Sequence, residues 1–136
     1  MDEYALFDYG PRKRSVIQEW LDSERITARD RGQLNQKLDM LRQMGMALPP
    51  KLLAGPLKSK RMKLRQKNIY KLIVHGNLML RPFLCRGPLN NDSEFTMLMG
   101  VIERNGENDH DPCEAEEVRQ TIVTEPATRL RHERYR

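Results

Sequence analysis

Apolar residues recur at helical spacing in two segments near the start of the chain. The first segment predicts a helix from about Arg12 to Ser23, with Trp20 as its main core residue. The second predicts a helix that begins at Thr27, in a Thr-x-x-Asp capping sequence, and ends at Gly45. Its apolar positions are Leu34, Leu38, Leu41 and Met44.

The pattern elsewhere is typical of strands rather than helices. Tyr4–Tyr9 predicts an opening strand, and cations alternate with Met62 and Leu64 in a second candidate over residues 61–65. Tyr70–Val74 and Leu78–Arg86 predict two strands joined by a His-Gly-Asn turn. Phe95–Ile102 is almost continuously apolar, which predicts a strand buried on both faces.

After a polar loop, Pro112 opens a predicted helix from Cys113 to about Thr124, with three glutamates where the helix dipole favours them. The order of elements predicts an α+β fold, in which an N-terminal helical hairpin and a C-terminal helix pack on a small, antiparallel-rich sheet. With 136 residues the chain has the length of one domain. We expect this domain to span residues 1–124, and residues 125–136 to form a basic, flexible tail.

Charge is unevenly distributed along the chain. The net charge is +5, yet residues 57–71 contain seven Lys or Arg and no Asp or Glu, while nine acidic residues fall between Asp92 and Glu117. A basic segment of this kind indicates a polyanionic partner, and nucleic acid in particular. The candidate nucleic-acid-binding residues are Lys58, Lys60, Arg61, Lys63, Arg65, Lys67 and Arg86.

Arg81 is the one cation among the apolar residues 78–85 of the predicted strand Leu78–Arg86. An unpaired charge in a core costs several kcal/mol, so Arg81 either pairs internally or binds an anion from outside. The basic segment before it favours the external anion. Pro82 cannot donate a ladder hydrogen bond, which places both residues at an exposed edge or a bulge.

Several other classes of function have no support in the sequence. There is no apolar run long enough to span a membrane, and the acidic N-terminus differs from a secretory signal, so a cytoplasmic protein is expected. Cys85 and Cys113 are expected to be free and buried. His110 and Cys113 supply one metal-ligand pair where a zinc site needs four ligands, so no metal is expected, and no nucleotide-binding motif predicts a cofactor.

In its order of elements the chain resembles the RelE/ParE superfamily of small toxins, including the HigB-like and phage-derived Gp49-like branch. The resemblance lies in Ile69–Leu72, in Leu80-Arg81-Pro82-Phe83, in Phe95–Val101 and in the Pro-led acidic helix. It spans about residues 4–122. It implies a RelE-like fold and a toxin of a type II toxin-antitoxin system, whose partners are an acidic antitoxin, mRNA and the ribosome.

The resemblance also implies a metal-independent endoribonuclease that promotes attack of a 2′-hydroxyl on the adjacent phosphate. Such chemistry needs cations at the phosphate and groups that move protons. Arg81 matches the phosphate-stabilising arginine, Lys71 a basic residue for proton transfer or phosphate contact, and Arg104 a second electrostatic group. His75, in the turn, is a candidate general acid or base.

Two positions depart from the family pattern. Ile73 stands where a second cation is frequent, and Glu103 stands where a lysine is common. The C-terminal helix also lacks a tyrosine that some members use, although Tyr135 or His75 could reach the same place. Two alternatives therefore remain, a non-catalytic ParE-like inhibitor of a DNA topoisomerase and a phage protein that kept the fold for nucleic-acid or virion contacts.

Overall fold

A computed structural model describes residues 3–136 of the chain. The helices are α1 Val16–Ser23, α2 Ala28–Met44 and α3 Pro112–Thr124, with short 3-10 turns at Gly45–Ala47 and Pro126–Thr128. The strands are β1 Ala5–Tyr9, β2 Leu53–Ala54, β3 Leu57–Ser59, β4 Leu64–Gln66, β5 Tyr70–Leu72, β6 Met79–Leu80, β7 Phe83–Arg86, β8 Glu94–Met99, β9 Ile102–Arg104, β10 Glu107–Asn108 and β11 Arg129–Arg131. None of the described helices is long and apolar enough to cross a membrane.

Six strands form the main sheet, in the order β11-β1-β8-β7-β5-β2. The β1-β8 pair is parallel and the other pairs are antiparallel, which confirms the predicted α+β class and its antiparallel-rich sheet. A three-stranded sheet, β10-β9-β6, and a two-stranded hairpin, β3-β4, extend from it.

The main sheet separates two hydrophobic clusters. Successive residues of a strand point to opposite faces, and along β7 Leu84 belongs to one cluster while Phe83 and Cys85 belong to the other. The first cluster includes residues of α1 and α2, and the second includes Ala115 and Ile122 of α3. The helical pair and α3 therefore cover opposite faces of the sheet, and β8 is buried on both, as its composition predicts.

Helix boundaries follow local signals closely. Thr27 caps α2, where its side chain accepts a hydrogen bond from Asp30 N, and Gly45 ends the helix with a positive φ of 56°. Asp111 and Glu114 form a capping box at the start of α3. The first helix is shorter than predicted, because Ser15 caps it and residues 12–14 lie outside it.

The predicted strand Leu78–Arg86 is two strands in different sheets. The chain leaves β6 at Leu80 and enters β7 at Phe83, so Arg81 and Pro82 lie at the junction, and a register shift follows between Phe83 and Leu84. The sequence predicted that Arg81 and Pro82 lie at an exposed edge or a bulge, and the irregularity in the strand is present. The predicted exposure of Arg81 is wrong, because this residue is only 5% exposed.

The C-terminal segment, for which the sequence predicts a flexible tail, lies against the main sheet. Strand β11 pairs antiparallel with β1. Beyond it, Tyr135 is buried, and its hydroxyl donates to Asp8 Oδ2 at 2.8 Å. His132 Nδ1 lies 3.0 Å from the other oxygen of the same carboxylate. These long-range contacts attach the segment to the opening strand.

Candidate nucleic-acid interface

The β3-β4 hairpin, which is separate from the main sheet, displays the cations of the basic segment. Lys58, Lys60, Arg61, Lys63, Arg65 and Lys67 are exposed. Lys58 and Arg65 lie directly opposite each other in the strand register. Like charges in this arrangement destabilise a hairpin, and an anion bound between them would relieve that repulsion. We call residues 57–67 the basic hairpin.

One carboxylate fixes the basic hairpin to the start of α3. Asp111 accepts from Ser59 Oγ at 2.6 Å, from Lys60 N at 2.9 Å and from Arg61 N at 3.3 Å, and it also caps the helix through Cys113 N at 2.9 Å. Ser59 is fully buried and in turn accepts from Met62 N at 2.9 Å. The turn of the hairpin is therefore held in place relative to α3.

These contacts keep Asp111 ionised. Burial alone would raise the pKa of Asp111, but hydrogen bonds from Cys113 and Ser59 outweigh it and hold the pKa well below its ordinary value. Burial, reinforced by the neighbouring Asp111, raises the pKa of the Cys113 thiol, so this cysteine is a poor nucleophile. Cys85 is also free and buried, and burial raises its pKa to about 12.

A cleft of about 380 Å³ lies between the basic hairpin and residues 106–112. Lys58, Lys60, Arg61 and Lys71 contribute to its basic side. The opposite side contains four carboxylates, those of Glu107, Asp109, Asp111 and Glu114. Two of them have partners within the protein: Asp111 binds the hairpin, and Asp109 Oδ1 accepts from Ile102 N at 2.9 Å.

Only weak ion pairs oppose the cations of the cleft. Lys60 Nζ lies 3.3 Å from Glu107 Oε1 with both side chains largely exposed, and Arg61 Nη2 lies 3.8 Å from Glu114 Oε2. Exposed pairs of this kind contribute about 0–1 kcal/mol, so a phosphate can compete for either cation. Within residues 3–136, neither an ion pair nor a side-chain hydrogen bond occupies the ammonium groups of Lys58, Lys63 and Lys67.

Arg81, the first candidate for a phosphate-binding residue, has internal partners instead. Its Nη1 donates to Leu80 O at 2.8 Å and to Val74 O at 3.0 Å, and its Nε lies 3.6 Å from Glu103 Oε1. Pairing of β6 with β9 places Glu103 opposite Met79 and so brings its carboxylate to the arginine. Burial lowers the pKa of Arg81, while the Glu103 carboxylate opposes that shift.

The remaining candidate residues are dispersed. Lys71, on β5, lines the cleft. Arg104 is exposed on β9 and lies 3.6 Å from a carboxylate oxygen of Glu24, and His75 is exposed in the turn before β6. Arg86 lies at the end of β7, where its side chain donates to Asn91 O at 3.1 Å. Lys71 alone of the four catalytic candidates lines the cleft, and their catalytic assignments stay predictions.

Sequence reasoning did not find Asn108, His110 and Asp111 as parts of this surface. His110 lines the cleft, and its Nδ1 lies 3.3 Å from Glu114 Oε1. The dipeptide Asn105-Gly106, with φ values of 53° and 79°, is the two-residue turn of the β9-β10 hairpin. In the sequence this dipeptide was interpreted as part of a polar loop. As a hairpin turn, it would have predicted that Asn108 lies on a strand just before His110 and Asp111. Within the described residues, no cluster of three or more metal-ligating side chains is present.

Comparison of the chain with protein-family models, with curated proteins and with solved structures gave no match.

Proposed function

We propose that this chain is a toxin of the RelE/ParE type that binds RNA through the basic hairpin and cleaves mRNA on the ribosome. The observation that supports it most is the display of six exposed cations on a hairpin that Asp111 connects to the start of α3. RNA backbones present phosphates at regular intervals and bind such surfaces with strong salt dependence. The resemblance of residues 69–72, 80–83 and 95–101 to that superfamily is the second support.

The experiment compares two triple variants of equal charge. One replaces Lys58, Lys63 and Lys67 by Gln, and the control replaces Arg12, Arg29 and Lys51, which are exposed elsewhere. Both change the net charge from +5 to +2. Fluorescence anisotropy with a single-stranded RNA at several salt concentrations should show a slope of log affinity against log salt that is about two units shallower for the hairpin variant. An equal loss in both variants would contradict the proposal, because it would show that only net charge matters.

Cleavage is tested separately, in growth assays and in translating extracts. We expect growth arrest on induction, cleaved messages, and loss of both with the hairpin variant. We expect Lys71→Ala to reduce cleavage more than RNA affinity. Arrest of growth with intact messages would overturn the nuclease part of the proposal.

The pairing of Arg81 with Glu103 favours one second candidate, a non-catalytic ParE-like inhibitor of a DNA topoisomerase. A guanidinium that already binds two carbonyls and a carboxylate is poorly placed to stabilise a phosphorane. The discriminating assay is supercoiling by a purified topoisomerase. Inhibition there, with intact messages in the extract, would select this alternative.

A further inference from the structure

Two apolar side chains are exposed at the end of the basic hairpin. Met62 is 59% exposed and Leu64 is 61% exposed, the largest values among the exposed large hydrophobic residues of positions 3–136. Exposed apolar residues are ordinary when they are scattered singly, but these two lie two positions apart, between cations at 61, 63 and 65. The proposed RNA binding uses the cations and gives the two apolar side chains no role.

The end of the hairpin is a narrow, exposed ribbon. Residues 60–65 are all exposed, whereas Ser59, just before them, is buried and bound to Asp111. Ser59 pairs with Leu64, so residues 60–63 form the turn beyond this pair. At about 3.3 Å per residue, the backbone extends at most roughly 7 Å past Ser59. With its side chains, a two-stranded ribbon is roughly 10 Å thick, which is the spacing of packed sheets.

These dimensions match one groove of a double helix. The major groove of B-form DNA is about 12 Å wide and about 8.5 Å deep, and it admits a two-stranded β-ribbon. The minor groove of B-form DNA, about 6 Å wide, and the deep major groove of double-stranded RNA are too narrow for the ribbon. The shallow minor groove of double-stranded RNA displays 2′-hydroxyls, and single strands stack their bases on aromatic side chains, which the basic hairpin lacks.

The floor of the DNA major groove also offers an apolar partner. Of the four bases, thymine alone places a methyl group there, and apolar side chains contact it. We propose that the end of the basic hairpin enters the major groove of B-form DNA, with Met62 and Leu64 against thymine methyl groups. Lys58 and Lys63 bind phosphates of the DNA backbone, which set the register of the hairpin on the duplex. Duplex DNA is thus a second ligand of this surface, beyond the proposed RNA function.

The test compares two short DNA duplexes of the same sequence, one with thymine and one with uracil in its place. Uracil lacks only the methyl group, so the phosphates and the minor groove stay the same. Fluorescence anisotropy of the wild type should show about fivefold tighter binding to the thymine duplex. Equal binding to both duplexes, or binding to neither, would overturn the inference while leaving the proposed RNA binding intact.

A double variant, Met62→Gln with Leu64→Gln, should lose the preference for thymine. The matched control is Met44→Gln with Leu89→Gln, which changes the same residue types where they are 42% and 44% exposed, and it should retain the preference. Both variants keep the net charge, so the slope of log affinity against log salt should not change. Affinity of the hairpin variant for single-stranded RNA should change by less than about twofold, since its cations remain.

The other outcomes separate this inference from its competitors. Equal losses on thymine DNA, uracil DNA and RNA in the hairpin variant would overturn the methyl contact. Binding of the wild type to vesicles that contain phosphatidylserine, without binding to either duplex, would identify a lipid surface as the partner of Met62 and Leu64 instead. A preference for the thymine duplex in a protein that binds no RNA would support the inference and refute the proposed function alone.

Discussion

The internal pairing of Arg81 makes a quantitative prediction for Glu103→Gln, a change that keeps the shape of the side chain and removes its charge. At the 3.6 Å separation of Arg81 Nε and Glu103 Oε1, the attraction is roughly 5 kcal/mol with an effective dielectric constant of about 20. The net cost is smaller, because the Glu103 side chain is 30% exposed and Arg81 keeps its two carbonyl acceptors. We expect the free energy of unfolding to fall by about 2–3 kcal/mol.

A double-mutant cycle isolates the pair. The variants are Glu103→Gln, Arg81→Met and the combination of both, and unfolding in urea is followed by circular dichroism at pH 7. If the two side chains stabilise each other as their geometry indicates, the coupling energy should be about 2 kcal/mol. Glu107→Gln is the matched control, since its partner Lys60 is 80% exposed, and it should change stability by less than about 0.5 kcal/mol.

RNA affinity gives the cycle a functional readout. Because Arg81 is buried and engaged, Arg81→Met should change RNA affinity by no more than about twofold when measured at a temperature at which the variant is folded. A coupling energy near zero, combined with a large loss of RNA affinity in Arg81→Met, would refute the internal pairing and restore Arg81 as a phosphate-binding residue.

Three further predictions concern other contacts. Asp111→Asn should lower the free energy of unfolding by about 1–3 kcal/mol at pH 7. The folded-state pKa of Asp111 is lowered, so its carboxylate stabilises the fold above the ordinary carboxylate pKa, near 3.9. The difference in urea midpoint between wild type and Asp111→Asn should therefore shrink as pH falls below about 4. Tyr135→Phe removes the hydroxyl that donates to buried Asp8 and should cost about 1–2 kcal/mol in thermal unfolding; an unchanged melting temperature would show that the C-terminal segment is not held there. Gly100→Ala would place a methyl group 1.9 Å from Cδ2 of Trp20, so we expect a loss of about 1–3 kcal/mol and a shift of the tryptophan emission; native emission and stability would contradict the packing.

Local sequence signals were sufficient for the helices and insufficient for the partners of the charged residues. Thr27, Gly45 and Pro112 mark helix ends through hydrogen bonds and backbone angles within a few residues, and the structure confirms them. Arg81 depends instead on the pairing of β6 with β9, which brings Glu103 to it from 22 positions away. Composition alone cannot indicate a contact of that kind.

The C-terminal segment shows the same limit over a longer range. Its many cations suggested a solvated end, but Tyr135 binds Asp8, 127 positions earlier. The basic hairpin could be predicted from the sequence only in part. Its charge was evident from the sequence, while its attachment to α3 depends on Asp111, a residue that the sequence places in the polar loop before Pro112.

Binding of RNA to the basic hairpin can be observed residue by residue, by titrating isotope-labelled protein with a single-stranded RNA and following the amide chemical shifts. We expect the largest shifts within residues 57–67 and 106–111, and we expect these shifts to disappear in the variant lacking the charges of Lys58, Lys63 and Lys67. Shifts confined to the C-terminal segment or to α2, with the basic hairpin unaffected, would contradict RNA binding at the hairpin.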